Sequence, residues 1–457
     1  MGRQVEQGML FYDFSLGDRV PADHLLRKVD ELLDLAFVRE VMAEHYSSAG
    51  RPSVDPVLMV RMLLVGYLYG VRSERRLCEE VDLNLAYRWY CRLGLEGRVP
   101  DHSTFTKNRH GRFHDSKLMR IVFEHVVERC LELGLAEVQH VAVDGAHMGA
   151  SAARGRFVRT PEELPREGAS RAVREYFTEL DEAIPDLEGV RRYKPKSIST
   201  TDPAAAITSK DGRLRFAYAI NAMVDTGSGI ALDVEAAPAR TADEPKAARI
   251  IVERMRGRHG VVPTIMAADS AYGSAAFFGW AEDQGILLHA PVKETRPAGK
   301  RRQPPKEDFR YDETSDTYVC PAGKTLRPQG SKRGSSGGRT AEGMRVYYPS
   351  RHGCRPCLLK ETCAPTEIRM IHRSPREDAR ERAKSREGTP DFKRSKKLRM
   401  RVERLFADIK HNDGFRRVRL RGRRGADEQF ILAATARNLK RMITLLGDVN
   451  RTGGMAA

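Results

Sequence analysis

The chain has 457 residues, with 79 Lys or Arg against 62 Asp or Glu and a formal net charge of +17. That length holds two or three domains and a sizeable core, and the basic excess favours a polyanionic partner such as DNA or RNA. No apolar run reaches membrane-spanning length, the first residues lack a signal-peptide pattern, and an odd seven cysteines do not form a secreted disulfide framework; a cytoplasmic protein is expected.

Residues 1 to about 130 read as all-helical. Leu25, Leu26, Val29, Leu32, Leu33 and Leu35 recur at helical spacing, and Ser53-Val54-Asp55-Pro56 starts a further helix with proline in its first turn. Two shorter helical stretches follow at 73–80 and 84–92, carrying Arg75, Arg76, Arg88 and Arg92. They suit a helix-turn-helix-like DNA contact through Arg75, Arg76 and Arg88, and equally a plain helical bundle with solvated arginines. Asp101 opens another capped helix with a basic face.

Composition changes near Val138. Val138-Gln139-His140-Val141-Ala142-Val143-Asp144-Gly145 is an apolar, β-branched run, read as a central strand that delivers Asp144 at its C-terminal end. A polar insertion at 161–196 precedes a hairpin, 214–224 with 230–235, joined by Asp225-Thr226-Gly227-Ser228-Gly229. A helix over 244–256 leads to Val261-Val262-Pro263-Thr264-Ile265-Met266-Ala267-Ala268-Asp269, a second apolar run ending on an acid. Another helix (274–284) and a short strand (286–291) complete an α/β pattern. From 293 to 389 regularity is lost, with basic loop-like stretches at 298–306 and 329–339. The expected domains are thus 1–130, a core split between 138–292 and 390–447, and an irregular cysteine-containing insertion at 293–389.

The basic excess concentrates between Lys393 and Arg424, where the only acids are Glu403, Asp408 and Asp413. Leu398, Val402, Leu405, Phe406 and Ile409 predict one helix over 397–410. At about 100° per residue, Arg399, Glu403 and Lys410 share a stripe. By itself that is an i,i+4 ion pair on a surface helix. Together with Asp144 and Asp269 it becomes three carboxylates from separate elements, a set able to hold two divalent cations about 3.5–4 Å apart. All-oxygen ligation favours Mg2+ or Mn2+, and Arg399 and Lys410 would then contact phosphates.

This order of strand Asp, strand Asp and helix Glu resembles the DDE transposases of bacterial insertion sequences. Arg399, Glu403 and Lys410 match the Tyr-x2-Arg-x3-Glu-x6-Lys motif of that family, with Lys396 in place of the tyrosine. Val143-Asp144-Gly145 and Ala268-Asp269-Ser270-Ala271-Tyr272-Gly273-Ser274 are similar to its first and second Asp motifs. The run from Phe14 to Phe105 resembles the helical N-terminal domain of InsH-type members, and Thr200-Thr201-Asp202-Pro203 and Ala433 to Lys440 are further similar stretches. The resemblance implies a ribonuclease-H-like mixed-sheet core and Asp144, Asp269 and Glu403 as catalytic metal ligands. It also implies cutting of element ends and transfer of their 3′-hydroxyls to target DNA, by a homodimer associated with the bacterial nucleoid. A non-catalytic DNA-binding regulator and a metal-dependent nuclease without strand joining are the alternatives.

Cys320, Cys354, Cys357 and Cys363 fall in the insertion, with Cys354 and Cys357 at metal-ligand spacing. A structural Zn2+ would stabilise a segment with little apolar core; the alternative is four free thiols.

Overall fold

A computed structural model describes residues 15–47, 53–182, 197–209, 212, 214–240, 243–293, 303–328, 343–364 and 368–453. The start of the family-like N-terminal run at Phe14, part of the 161–196 insertion and most of the two basic stretches at 298–306 and 329–339 lie outside them. Two compact units result: 1–136 with 405–416 and 427–457, and 137–404 with 417–426. Among the described residues, no helix is long and apolar enough to cross a membrane.

The first unit is helical. Its central helix, Pro56–Leu68, starts where the Asp55 carboxylate accepts from Val57 N–H with proline at the first turn, and it is buried on nearly every side. Such all-round apolarity is what a helix enclosed by others requires. Buried arginines tie the surrounding helices: Arg61 reaches Asp30 at 2.6 Å, and Arg109 lies between Glu74 and Glu428 at 3.0 and 2.6 Å.

The helix-turn-helix expectation fails here. Only Asn84 separates the helices Glu74–Leu83 and Leu85–Tyr90, where such a motif needs a turn of about 3–4 residues. The second helix has six residues, and Tyr87, Arg88 and Tyr90 of it are buried. Arg88 is 3% exposed and donates to the carbonyls of Asp82, Gly94, Leu95 and Gly97. It closes a loop from within and is corrected from DNA contact to structural residue. Arg75 and Arg76 are exposed, Arg76 pairing with Glu80.

The second unit is mixed α/β. Its thirteen described strands are β1 (His140–Gly149), β2 (Phe157–Val158), β3 (Ile198–Ser199), β4 (Ala206–Thr208), β5 (Arg215–Asp225), β6 (Ala231–Pro238), β7 (Ile265–Ala267), β8 (Leu287–His289), β9 (Arg310–Asp312), β10 (Thr317–Val319), β11 (Thr325–Pro328), β12 (Arg345–Pro349) and β13 (Ile371–Arg373). The main sheet runs β4-β5-β1-β7-β8, with β6 also paired to β5. β1 is antiparallel to β5 and parallel to β7, and β7 is parallel to β8. The expected hairpin is β5–β6, its turn fixed by Asp225 accepting from both N–H and hydroxyl of Ser228 at 2.7 Å.

Residues 310–373 correct the expectation of an irregular insertion. β9 to β13 form a five-stranded antiparallel sheet in sequence order, around Phe309, Tyr318, Leu326, Tyr347 and Ile371. Its strands are three to five residues long, too short to show alternation above the charged residues around them.

A polar chain fixes the helix Pro390–Leu398 to the main sheet. Thr226 donates to the His140 carbonyl at 2.9 Å, so its hydroxyl oxygen accepts from His140 Nδ1, also at 2.9 Å. His140 Nε2 is then an acceptor, and the Ser395 hydroxyl donates to it at 2.8 Å. Ser395 Oγ in turn accepts from His289 Nδ1 at 2.7 Å. This direction requires a neutral His140, and burial lowers the pKa of both histidines. The contribution to stability is present in full above the ordinary imidazole value of about 6.5 and is lost as pH falls below it and through the lower value of the folded protein. Urea unfolding should show the wild type weakening below that ordinary value. Ser395→Ala, which strands one buried and one part-buried ring nitrogen, should cost about 1–3 kcal/mol at pH ~7.5. A variant as stable as the wild type would remove the chain from the account of stability.

Candidate active site

The register of two parallel strands brings the two aspartates together. Ala142 of β1 pairs with Ala267, the last residue of β7, so Asp144 and Asp269 each stand two residues beyond one level. Asp144 is not at the end of its strand, as its sequence suggested. β1 continues to Gly149 against β5, while its pairing with β7 stops at Ala142. Asp144 therefore sits where the sheet opens on one side and stays paired on the other.

Local backbone chemistry holds each acid. Asp269 caps the short turn Ser270–Tyr272, its Oδ1 accepting from Ala271 N–H at 2.8 Å. The next residue, Gly273, is pressed against the β8 end: a Cβ there would lie 2.0 Å from the Pro291 carbonyl oxygen. Behind Asp144, a Cβ on Gly145 would come within 3.0 Å of Asn221 Oδ1 and of Glu244 Cγ. Sequence reading missed Glu244 and Tyr272, which are 2% and 1% exposed. Burial first, then the charges of Glu244, Asp144 and Asp269, push the Tyr272 phenol well above its usual pKa. The Asp144-Gly145 pair was the available signal that something packs closely behind the strand.

Glu403 comes from a chain whose helix is interrupted where one continuous helix was expected. Pro390–Leu398 ends at Arg399, Met400–Ala407 starts anew, and Asp408–Asn412 is a π-helical turn. Arg399, at the interruption, faces two of the acids. Its guanidinium donates to Asp144 Oδ2 and to Glu403 Oε1, both at 2.6 Å. Asp144 is mostly buried and Glu403 about half exposed. Burial raises the Asp144 pKa most; the Gly145 N–H and Arg399 lower it, and the charges of Asp269 and Glu403 raise it further. Both other acids thus act on Asp144, with Arg399 as the cation that offsets them there.

Arg399, expected to face phosphate, is here a clamp on two carboxylates. Lys410 lies part-buried in the π-helical turn, so the α-helical stripe linking it to Glu403 does not hold: a π turn takes more residues than an α turn. No group of three or more His, Cys, Asp or Glu side chains among the described residues is arranged to hold a metal ion.

The four insertion cysteines share one cavity without forming a metal-ligand set. Cys320, Cys354, Cys357 and Cys363 line one cavity of about 30 Å³ beside Phe309 and Leu326, and all are free thiols. Cys320 follows β10 in a tight turn whose Lys324 N–H donates to its sulfur at 3.3 Å. Burial and then, among other charges, the neighbouring thiols raise the pKa of Cys354 and Cys363.

A mixed sheet that opens between two aspartates, with a helix carboxylate tied to one of them, defines a candidate acidic centre in a mixed α/β protein with a helical N-terminal region. Comparison with known families gives that class a name. Residues 14–111 match a transposase domain (DUF772), and residues 319–443 match a transposase DDE domain. The second match contains Arg399, Glu403 and the four cysteines; Asp144 and Asp269 precede it. The chain carries two transposase domains, consistent with a DDE transposase of an insertion sequence. No curated protein matches it. Similar solved structures include the piggyBac transposase synaptic complex with hairpin DNA, at 11% identity and TM-score 0.33 over 94% of this chain and 74% of that one. Another is the Mos1 transposase paired-end complex with left transposon end, at 9% identity and TM-score 0.17 over 53% and 61%.

Proposed function

We propose that this chain cuts the ends of an insertion sequence and joins the freed 3′-hydroxyls to target DNA. The observation that carries the reading is Arg399 joining Asp144 of β1 to Glu403, with Asp269 at the same register level. Antiparallel β1, β5 and β6 with parallel β7 and β8, and acids at β1 and after β7, support a ribonuclease-H-like core. The hard oxygen donors of Asp144, Asp269 and Glu403 suit Mg2+ or Mn2+: Arg399 already lies between Asp144 and Glu403, and the Asp269 charge acts on Asp144. Two such ions would supply an activated water or 3′-hydroxyl and would stabilise the leaving oxygen. Arg399 keeps the carboxylates together between turnovers and presents a guanidinium to phosphate when their charge is offset otherwise. The working form is proposed as a homodimer on double-stranded DNA in the bacterial nucleoid, with domains at 1–130, 138–292, 293–389 and 390–447.

The direct experiment incubates purified protein and Mg2+ with duplex DNA carrying the sequences that flank its gene. Cleavage at terminal inverted repeats followed by joining is expected. Binding without cleavage would make the chain a DNA-binding regulator, and cleavage without joining a nuclease.

The cysteine cavity is the place proposed for a structural Zn2+, because all four thiols line it and a backbone N–H already points at one of them, although they are not drawn together as ligands without the metal. Metal analysis should find about one zinc per chain, lost in Cys354→Ser/Cys357→Ser. Zinc-free wild type with the same melting curve in chelator would rule it out.

A further inference from the structure

The segment Arg417-Val418-Arg419-Leu420-Arg421-Gly422-Arg423-Arg424 is used by none of the roles above. It belongs to the same unit as the carboxylates and docks on the end of β1, the strand that carries Asp144. Val418 N–H donates to the Gly149 carbonyl at 2.8 Å, and Arg417 and Arg421 donate through Nε to the carbonyls of Ala150 and Ser151 at 3.1 Å.

Burial alternates along it. Val418 and Gly422 are buried, while Arg417, Arg419 and Arg421 are exposed. With Arg424 beyond Gly422, the segment thus presents four exposed arginines within eight residues.

The far end is fixed as firmly. Gly422 N–H donates at 3.0 Å to Asp202, a fully buried carboxylate that also accepts from the Tyr218 hydroxyl of β5 at 2.5 Å. Gly422 has φ +85°, and a Cβ there would lie 2.6 Å from Glu175 Oε2, so only glycine serves. Arg423 is taken by Glu179 and Glu235. The helix Arg423–Gly453 then begins with two arginines and no acid in its first turn, although the positive end of a helix favours anions. Arg424 is exposed there. Cations gathered at a helix N-terminus, on a backbone held at both ends, leave a surface that a row of anions would stabilise.

We infer that residues 417–424 form a phosphate-tracking ribbon, in which Arg419, Arg421 and Arg424 grip the backbone of the duplex being processed and Asp202 anchors the ribbon to the sheet. The inference rests on the transposase reading and adds the surface on which its DNA lies. Direct anchoring to β1 would hold that duplex in a fixed relation to Asp144, which a basic loop without backbone ties could not do.

The test uses the full chain and a labelled random-sequence DNA duplex of about thirty base pairs, titrated over a range of KCl concentrations. Arg419→Gln/Arg424→Gln changes two exposed side chains, and its melting curve and circular dichroism are recorded beside those of the wild type so that DNA affinity is compared only between folded proteins. The variant's slope of log Kobs against log salt should be shallower by about 1.8, at ~0.9 for each phosphate no longer neutralised, with affinity down about tenfold or more near 0.1 M salt. A wild type that binds while the variant keeps its slope would overturn the ribbon and leave the transposase reading intact. A wild type that does not bind duplex DNA, or that prefers single-stranded RNA, would overturn both.

Discussion

Glu403→Gln should abolish Mg2+-dependent nicking, by about a thousandfold or more, equivalent to ~4 kcal/mol of transition-state stabilisation. The amide keeps the shape and loses the charge that a hard cation requires. Little else should change. The Glu403 side chain is 49% exposed, and its i,i+4 pair with Arg399 is a partly solvated interaction of modest stability. Arg399 retains Asp144 at 2.6 Å, so the buried acid keeps its counter-ion. Single-turnover cleavage and duplex affinity measured side by side separate the two effects: activity should vanish and affinity should stay within about twofold. A variant that nicks as fast as the wild type would take Glu403 out of the chemistry.

The second large effect is structural. Gly273→Ala places a methyl carbon 2.0 Å from the Pro291 carbonyl oxygen and 2.8 Å from Lys293 N, both backbone atoms that no rotamer change can move. The turn Ser270–Tyr272 or the 291–293 segment must shift, and Lys293 N–H would lose its 2.9 Å bond to the Gly273 carbonyl. Overpacking of this kind costs about 1–3 kcal/mol, and the upper end is expected here. Because Asp269 caps that same turn, nicking should fall together with stability. Gly94→Ala is the control, since a Cβ at Gly94 meets nothing within 4 Å. Urea unfolding should place it within about 0.5 kcal/mol of the wild type. Equal stability of the two variants would show that the Gly273 clash relaxes without cost.

Much of the second unit was legible because its signals are local. The apolar runs that became β1 and β7, the Asp225–Gly229 turn and the amphipathic helices each follow from spacing within a few residues. Errors arose where the deciding partner lies outside the element's own periodic pattern, whether a few residues on or far along the chain. Arg88 looks like any helical arginine until the loop at 94–97 folds its carbonyls over it. The helix over 397–410 has an unbroken apolar pattern, yet it is interrupted at Arg399, whose guanidinium meets Asp144, 255 residues earlier. Glu244 opens a helix and reads as an ordinary first-turn acid, although it lies behind Gly145 in the core.

By itself, the sequence determined the chemistry on offer: three acids in the order strand, strand, helix, a basic final third, and four cysteines in one segment. Those follow from residue type and short-range periodicity, which no later folding step alters. Only the tertiary structure decided how they combine. Strand register set Asp144 beside Asp269, the Arg399 guanidinium joined Glu403 to Asp144, and the carbonyls of Gly149 to Ser151 with the Asp202 carboxylate accepted the bonds that hold residues 417–422 at the end of β1. The physical reason is that a side chain's partner depends on backbone pairing and burial between distant segments, and local patterning carries no record of either.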